Sequence, residues 1–463
     1  MQLRKKRAGQ IRQTLATLSA SLFAASVAGA NDQAMAQDAG GGAAATSQID
    51  AAILVYQEQD GRVLAIEPTL NATVSGADGG AFTFGLASDT LTGASPNGAV
   101  PSNTVQTFVT PLKRGSDSST TVTNASGGST IIQIPGETGL ARQYTVEPNK
   151  LPVDRGFSDQ RVGGNIGWSQ PFVGLSKVGA GLGYSRERDY QSISGNASVS
   201  QDFNTKNTTV SLAVNYEYDT IFPYGGIPTP LTGMNAEFKG PDRNKNQTDI
   251  VLGLTQLINR YWLVQLNYSY GLSDGYQNDP YRIISQVDPV TGQPIGYTYD
   301  LYESRPDSRR RQSVYIENKV DIGPNVADLS FRYYADDWGI GATSVELADR
   351  LTLTRWLYVE PDMRWYQQSA ADFFHYFLVN GQPLPRYASS DTRLGKFSAL
   401  TYGLKLGVNV TRASEIYLRG EYYVQSGDGH PADAIGQLKQ QDLFAGVKAV
   451  TVMTGYSWIF NGI

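Results

Sequence analysis

Apolar and polar residues alternate along much of this chain with a period of two, the signature of strands with one apolar face. In WLVQLNYSY, Trp262, Val264, Leu266, Tyr268 and Tyr270 share one face, and Leu263, Gln265, Asn267 and Ser269 the other. LTYGLKLGVNV sets Leu400, Tyr402, Leu404, Leu406, Val408 and Val410 against Thr401, Gly403, Lys405, Gly407 and Asn409. IYLRGEYYV sets Ile416, Leu418, Gly420, Tyr422 and Val424 against Tyr417, Arg419, Glu421 and Tyr423. About 16 such segments occur, beginning near Ala51, Arg62, Ala81, Gln160, Lys177, Gln191, Asn207, Asn246, Arg260, Gln312, Val326, Ala342, Trp356, Lys396, Ser414 and Lys448. Each is close to the roughly 9–11 residues that a tilted membrane strand needs.

The connections have their own rhythm. After a tight hairpin at Asp60-Gly61, every second gap is short, such as GADGG (Gly76–Gly80), GLSK (Gly174–Lys177), NTKN (Asn204–Asn207), the pair Asn259-Arg260, and TRAS (Thr411–Ser414). Several of the intervening gaps are long: Gly93–Asp159, Thr220–Lys245, Ser273–Arg311, Gln368–Gly395 and Gly427–Val447. Short turns at one rim and long loops at the other, joining an even number of strands, predict a transmembrane antiparallel up-and-down β-barrel with extracellular loops and both termini at the periplasmic rim. The Ser-, Thr- and Gly-rich loop 93–159 is expected either to be disordered outside the cell or to fold back and narrow the pore.

Composition agrees. Hydrophobic residues are only 40% of the chain, yet there are 27 Tyr and 49 Gly, as befits strands that are apolar on one face. The N-terminus reads as an export signal: basic residues Arg4, Lys5, Lys6, Arg7 and Arg12, then the small apolar run Thr14–Ala30, then A-x-A sites ending at Ala30 and Ala36. The expected organisation is a signal peptide over 1–36 (with Ala30 as the other cleavage point), a flexible periplasmic segment over 37–50, and the barrel over 51–463. So short a segment ahead of Ala51 leaves no room for a plug domain. Cleavage after Ala36 removes five basic residues and one acidic one, taking the net charge from −5 to −9. That acidity argues against nucleic acid as a partner. The absence of Cys suits an oxidising compartment and excludes thiol chemistry, Fe–S clusters and thiolate-bound zinc.

Near its end the chain reads TGYSWIF, with Tyr456, Trp458 and Phe460 on alternate positions. These aromatics, with Trp262, Tyr268 and Tyr422, are expected to face lipid or its interfaces, where aromatic rings sit well. The same stretch is similar to the C-terminal assembly signal of outer-membrane barrels, matched here by Thr454, Gly455, Trp458 and Phe460. It differs in that three residues follow Phe460.

The other face carries charge. Alternation turns Asp328, Arg332, Glu346, Arg350, Glu360, Asp362, Arg364, Lys405, Arg419 and Glu421 into the lumen, since a basic residue on the lipid face costs roughly 2–4 kcal/mol at the midplane. Two readings stand: a paired lattice that stiffens the wall, and a lumen that selects solutes by charge. A second cluster, YESRPDSRRR, leaves a long loop for a strand. Arg305, Arg309, Arg310 and Arg311 there would contact anionic solutes or lipid headgroups, or be neutralised by Glu303, Asp307 and neighbouring loops.

Little points to an enzyme. The two histidines are His375, in the aromatic FFHYF, and His430, near Asp428 and Asp433; neither has the spacing of a zinc site. A His–Asp pair could activate water, but packing and a solvated turn are the plainer roles. SDGYQND (Ser273–Asp279) and SGDGHPAD offer oxygen ligands for a loop-bound calcium without the EF-hand pattern. No catalytic residue or resident cofactor is assigned.

DTLTGASPNGAVPS (Asp89–Ser102), YESRPDSR (Tyr302–Arg309), RYYADDWGI (Arg332–Ile340) and QSAADFF (Gln368–Phe374) together resemble a bacterial family of porin-like outer-membrane barrels known only as a domain of unknown function. The resemblance spans nearly all of the mature chain. It implies the barrel fold and an outer-membrane location, and hints at an envelope redox role through periplasmic partners. The functional expectation is a channel for small hydrophilic or charged solutes. The alternatives are a scaffold for an export or electron-transfer complex built with a periplasmic redox protein or lipoprotein, and a structural or adhesive surface barrel. The expected partners are outer-membrane lipid, lipopolysaccharide, the barrel-assembly machinery and small solutes.

Overall fold

The computed structural model describes residues 46–111, 121–123, 129–131, 141–223, 225–234 and 239–461. The expected signal peptide over 1–36 and its cleavage sites lie outside the described residues. Sixteen strands close into one barrel: β1 Thr46–Glu58, β2 Val63–Ser75, β3 Ala81–Pro96, β4 Val153–Pro171, β5 Ser176–Arg186, β6 Tyr190–Phe203, β7 Thr208–Ile221, β8 Arg243–Asn259, β9 Trp262–Gly275, β10 Ser308–Ile322, β11 Asn325–Asp336, β12 Gly341–Thr352, β13 Leu357–Gln368, β14 Phe397–Thr411, β15 Ser414–Gly427 and β16 Val447–Asn461. Each pairs antiparallel with its sequence neighbours. The ring closes where β1 meets β16, from Thr46 opposite Asn461 to Glu58 opposite Ala449. Closure satisfies the backbone groups that an open sheet edge would leave bare.

β3 and β15 start at the residues the alternation predicts, Ala81 and Ser414. Three strands begin four or more residues earlier than the alternation predicts. β1 begins at Thr46, so Thr46–Asp50, expected to be flexible, are paired on both sides with β2 and β16. β4 begins at Val153 instead of near Gln160, and β10 at Ser308 instead of near Gln312. Ladder hydrogen bonds need only backbone, so strands continue past the point where apolar alternation stops. Arg309, Arg310 and Arg311 are therefore strand residues, not loop residues.

The outer face is apolar. Phe82, Phe84, Leu182, Tyr184, Leu347, Leu404 and Leu418 are all exposed on it. Trp262, Tyr268, Tyr422, Tyr456 and Trp458 share that exposure, and Phe460 packs its ring 4.6 Å from that of Trp458. Gly455 lies on the opposite face, buried, directly across from Tyr417. The Tyr417 ring occupies the space a side chain at Gly455 would fill, and Tyr358 lies against Gly407 in the same way. Glycine at these two positions lets a ring lie flat on the wall. No helix among the described residues is long and apolar enough to cross a membrane.

Candidate functional site

All ten charged residues that alternation turns inward share one face in the observed register. Asp328 stands opposite Lys319, Glu346 opposite Arg364, Glu360 opposite Lys405, and Lys405 opposite Arg419. Several are paired. The Arg419 guanidinium donates to Asp362 at 3.0 Å and to Glu421 at 2.7 Å. Lys319 sits 3.5 Å from Asp328, and Lys405 3.6 Å from Glu415. Arg350 lies over the Tyr358 ring at 3.7 Å, and the Tyr358 hydroxyl donates to Glu415 at 2.6 Å. Arg332 lies over Tyr315 at 5.1 Å. Among the described residues, Arg332, Glu346, Arg350, Glu360 and Arg364 form no ion pair within 4.0 Å. The wall is thus part lattice and part uncompensated charge.

The wall built by β4, β5 and β6 is different. At mid-height its inward positions are small: Gly163, Asn165 and Gly167, then Gly179, Gly181 and Gly183, then Ser194, Asn196 and Ser198. At mid-height the lumen therefore has one low, neutral wall and, over β10 to β15, one wall of charged and aromatic side chains.

The long loops do not stand apart from one another. Segment 276–307, between β9 and β10, bonds to every other long loop. The Ile283 amide donates to the Asn97 carbonyl at 3.2 Å, and the Leu378 amide to the Ser285 carbonyl at 2.9 Å. The Leu231 amide donates to the Tyr302 carbonyl at 3.0 Å, and the Gln437 amide to the Thr291 carbonyl at 2.8 Å. Val100, Val287, Phe377, Ala434, Leu438 and Leu443, drawn from four loops, form one buried apolar cluster. Ile284, Leu301, Leu378 and Ala388 form another. These loops leave the ring at points distributed around its circumference. Contacts among them must therefore span the mouth at the long-loop rim.

At the heart of this layer lies a buried ion cluster. Asp391 binds Arg305 at 2.8 Å, Arg393 at 2.7 Å and Arg282 at 3.4 Å. Glu303 binds Arg305 at 2.8 Å and accepts from the Ser389 hydroxyl at 2.6 Å. Arg305 is thus neutralised inside the layer and faces neither solvent nor headgroups. Arg309 is bonded to Asp336, with its guanidinium 4.3 Å from the centre of the Trp338 ring. Arg311 faces the lumen at 3.1 Å from Asp249. Arg310 alone of the four is exposed on the outer face.

Asp300, wholly buried in the same layer, accepts from Ser285, and burial pushes its carboxyl up to about 8. His375 is half-buried, and burial lowers its imidazole below the usual range. His430 is exposed, its amide capped by Asp428 at 3.0 Å. In the other calcium candidate Asp279 is likewise a turn cap, accepting from the Tyr281 amide at 2.8 Å. The described residues hold no group of three or more His, Cys, Asp or Glu side chains placed for a metal ion.

A family model described as "Protein of unknown function (DUF3570)" matches residues 14–458. The chain belongs to this family. No curated protein matches it. Among solved structures it is similar to a mutant of the ferric enterobactin receptor PfeA of Pseudomonas aeruginosa, at 10% identity and TM-score 0.40, covering 88% of this chain and 59% of the receptor. The siderophore receptor PirA of the same organism matches at 9% identity and TM-score 0.39, over 88% of this chain and 61% of that one. OccK2 (OpdF), also from that organism, matches at 10% identity and TM-score 0.36, over 90% and 98%. The chain spans about three fifths of the length of the two receptors.

Sequence reasoning did not single out Asp391, Arg282 or Arg393, which organise the loop layer. NDPYRI (Asn278–Ile283) and SSDTR (Ser389–Arg393) carry the turn-capping carboxylates Asp279 and Asp391 that mark structured loops. Nothing in either segment names its partner.

Proposed function

We propose that this chain is an outer-membrane barrel of a Gram-negative-type cell, exported by a cleaved signal peptide, that admits small hydrophilic or charged solutes. The observation that carries the reading is the face shared by ten charged side chains inside a closed barrel whose outside is apolar. Lipid and lipopolysaccharide surround it in this reading, and the assembly machinery reads its closing strand. Solute choice follows from the fixed charges, because a wide wet lumen sorts ions by field and does not strip their water. The loop layer narrows the outer mouth, so conductance is low.

Single-channel recording in a planar bilayer tests this. Arg419→Ala strands Asp362 and Glu421 without their shared cation, so reversal potentials shift toward cations; Arg350→Ala shifts them the same way. Glu421→Ala shifts them toward anions. Wild-type protein that stays silent, and remains silent when segment 276–307 is shortened, would sink the channel. The loop layer favours one second reading: a closed scaffold receiving a periplasmic redox protein or lipoprotein through the short-turn rim. Co-purification of such a partner with the silent barrel supports it.

A further inference from the structure

Among the described residues three lumen arginines lack a carboxylate in contact; Arg350 lies over the Tyr358 ring near the short-turn rim, which leaves two toward the mouth. Arg332 on β11 is exposed to the lumen with one face laid on the Tyr315 ring. Arg364 on β13 is half-exposed and makes no ion pair with its cross-strand neighbour Glu346. The other basic residues at this height are spoken for: Arg309 by Asp336 and Arg311 by Asp249. We propose that Arg332 and Arg364 form a binding station for the carboxylate of a small organic monoanion, which deepens and rests on the solute-channel reading.

The register sets the spacing. Arg332 lies opposite Ser344, and Arg364 opposite Glu346, two residues along the same strand. The two Cα atoms are thus separated by two strand spacings and one pleat repeat, about 12 Å in all. Both side chains are long, so a single solute held between them is shared once the Arg332 guanidinium turns from Tyr315, on the β10 side, toward Arg364. A planar fork of donors matches a carboxylate bidentately. The surroundings define the rest of the ligand. Tyr315, stacked beneath Arg332, offers an aromatic face, and Tyr366, the next inward residue above Arg364, offers another. Glu346 supplies one negative charge against two positive ones, so the station carries a surplus suited to a monoanion and repels a second carboxylate. It sits directly below the loop layer: Tyr334 and Asp336 stand above Arg332, and Gln368, two residues beyond Tyr366, donates to the Gly395 carbonyl of the layer at 2.8 Å. A solute there rests at the floor of the covered mouth.

The test measures binding, not current, on the purified full-length barrel in detergent. Benzoate, its neutral isostere benzamide and the dianion phthalate are each followed by equilibrium dialysis. Benzoate should bind at least tenfold more tightly than benzamide, and phthalate no more tightly than benzoate. Arg332→Ala and Arg364→Ala, each checked for heat-modifiable migration, should weaken benzoate at least tenfold. Arg332→Lys should retain part of the binding, and Arg310→Ala, on the outer face, all of it. Glu346→Gln should make phthalate bind more tightly than benzoate. Equal retention of benzoate and benzamide by wild-type protein overturns the station without any variant, as does benzoate binding unmoved in both alanine variants. A barrel that binds benzoate yet passes no current would sink the channel and leave the station. One that conducts and does not bind would do the reverse.

Discussion

Asp391→Asn is the sharpest perturbation of the loop layer. The Asp391 carboxylate, 1% exposed, is shared by Arg282, Arg305 and Arg393. Arg305 keeps Glu303 as a second partner, and Arg393 is partly exposed, but among the described residues the ion pair of Arg282 is with Asp391 alone. Replacing the acid by its amide removes the charge and turns an N–H group toward guanidinium donors. Breaking a buried pair from one side costs about 3–5 kcal/mol because the remaining charge stays buried. Taking the lower figure, at about 1.4 kcal/mol per decade, local opening becomes about a hundredfold more frequent. Hydrogen exchange followed by mass spectrometry reads this directly. Peptides from 276–307 and 369–396 should exchange about a hundredfold faster in the variant, with β9 and β16 unchanged. Loop peptides that stay within twofold of wild type, or barrel strands that accelerate equally, would refute the claim that this cluster locks the loops to one another.

Other outcomes follow from the same geometry. Gly455→Val forces the Tyr417 ring off the wall and should lower folding yield, at about 1–3 kcal/mol of overpacking; Tyr417→Ala in the same chain should restore heat-modifiable migration, and no rescue would remove the steric explanation. Asp300 has a folded carboxyl raised to about 8 from 3.8, so its contribution is full below about pH 4 and lost as pH rises toward 8. Exchange in peptides around 297–302, corrected for intrinsic rates, should therefore be faster at pH 9 than at pH 5, and flat with pH in Asp300→Asn. Spin labels at Tyr268 and Tyr422 should be relaxed by lipid-soluble oxygen and those at Lys405 and Arg419 by a water-soluble agent; the opposite result would place the strands one residue out of register.

The barrel was legible because its code is local. Alternation over nine or ten residues fixes which face Arg419 or Tyr422 occupies, and the turn residues mark where strands end. The first residues of β4 were not legible, since 153–159 pair through backbone without an apolar rhythm. The loop layer was hidden for a different reason. Val100, Val287, Phe377 and Leu438 belong to four segments far apart in the chain, and none of those segments names the others. The fate of YESRPDSRRR shows both cases at once. Arg311 falls on the inward face by counting, whereas Arg305 is buried by Asp391, 86 positions away.

Segment 276–307 behaves as the keystone of an arch. Four spans lean on it from separate points of the ring, each through at least one backbone bond. Surface loops of a barrel are ordinarily free to lengthen, shorten or change under attack from outside, each independently of the rest. Here a change in one span alters the thrust on the others through a common stone. The long-loop surface of this chain can therefore vary only in concert, and a single nick within 276–307 would loosen the four spans that lean on it.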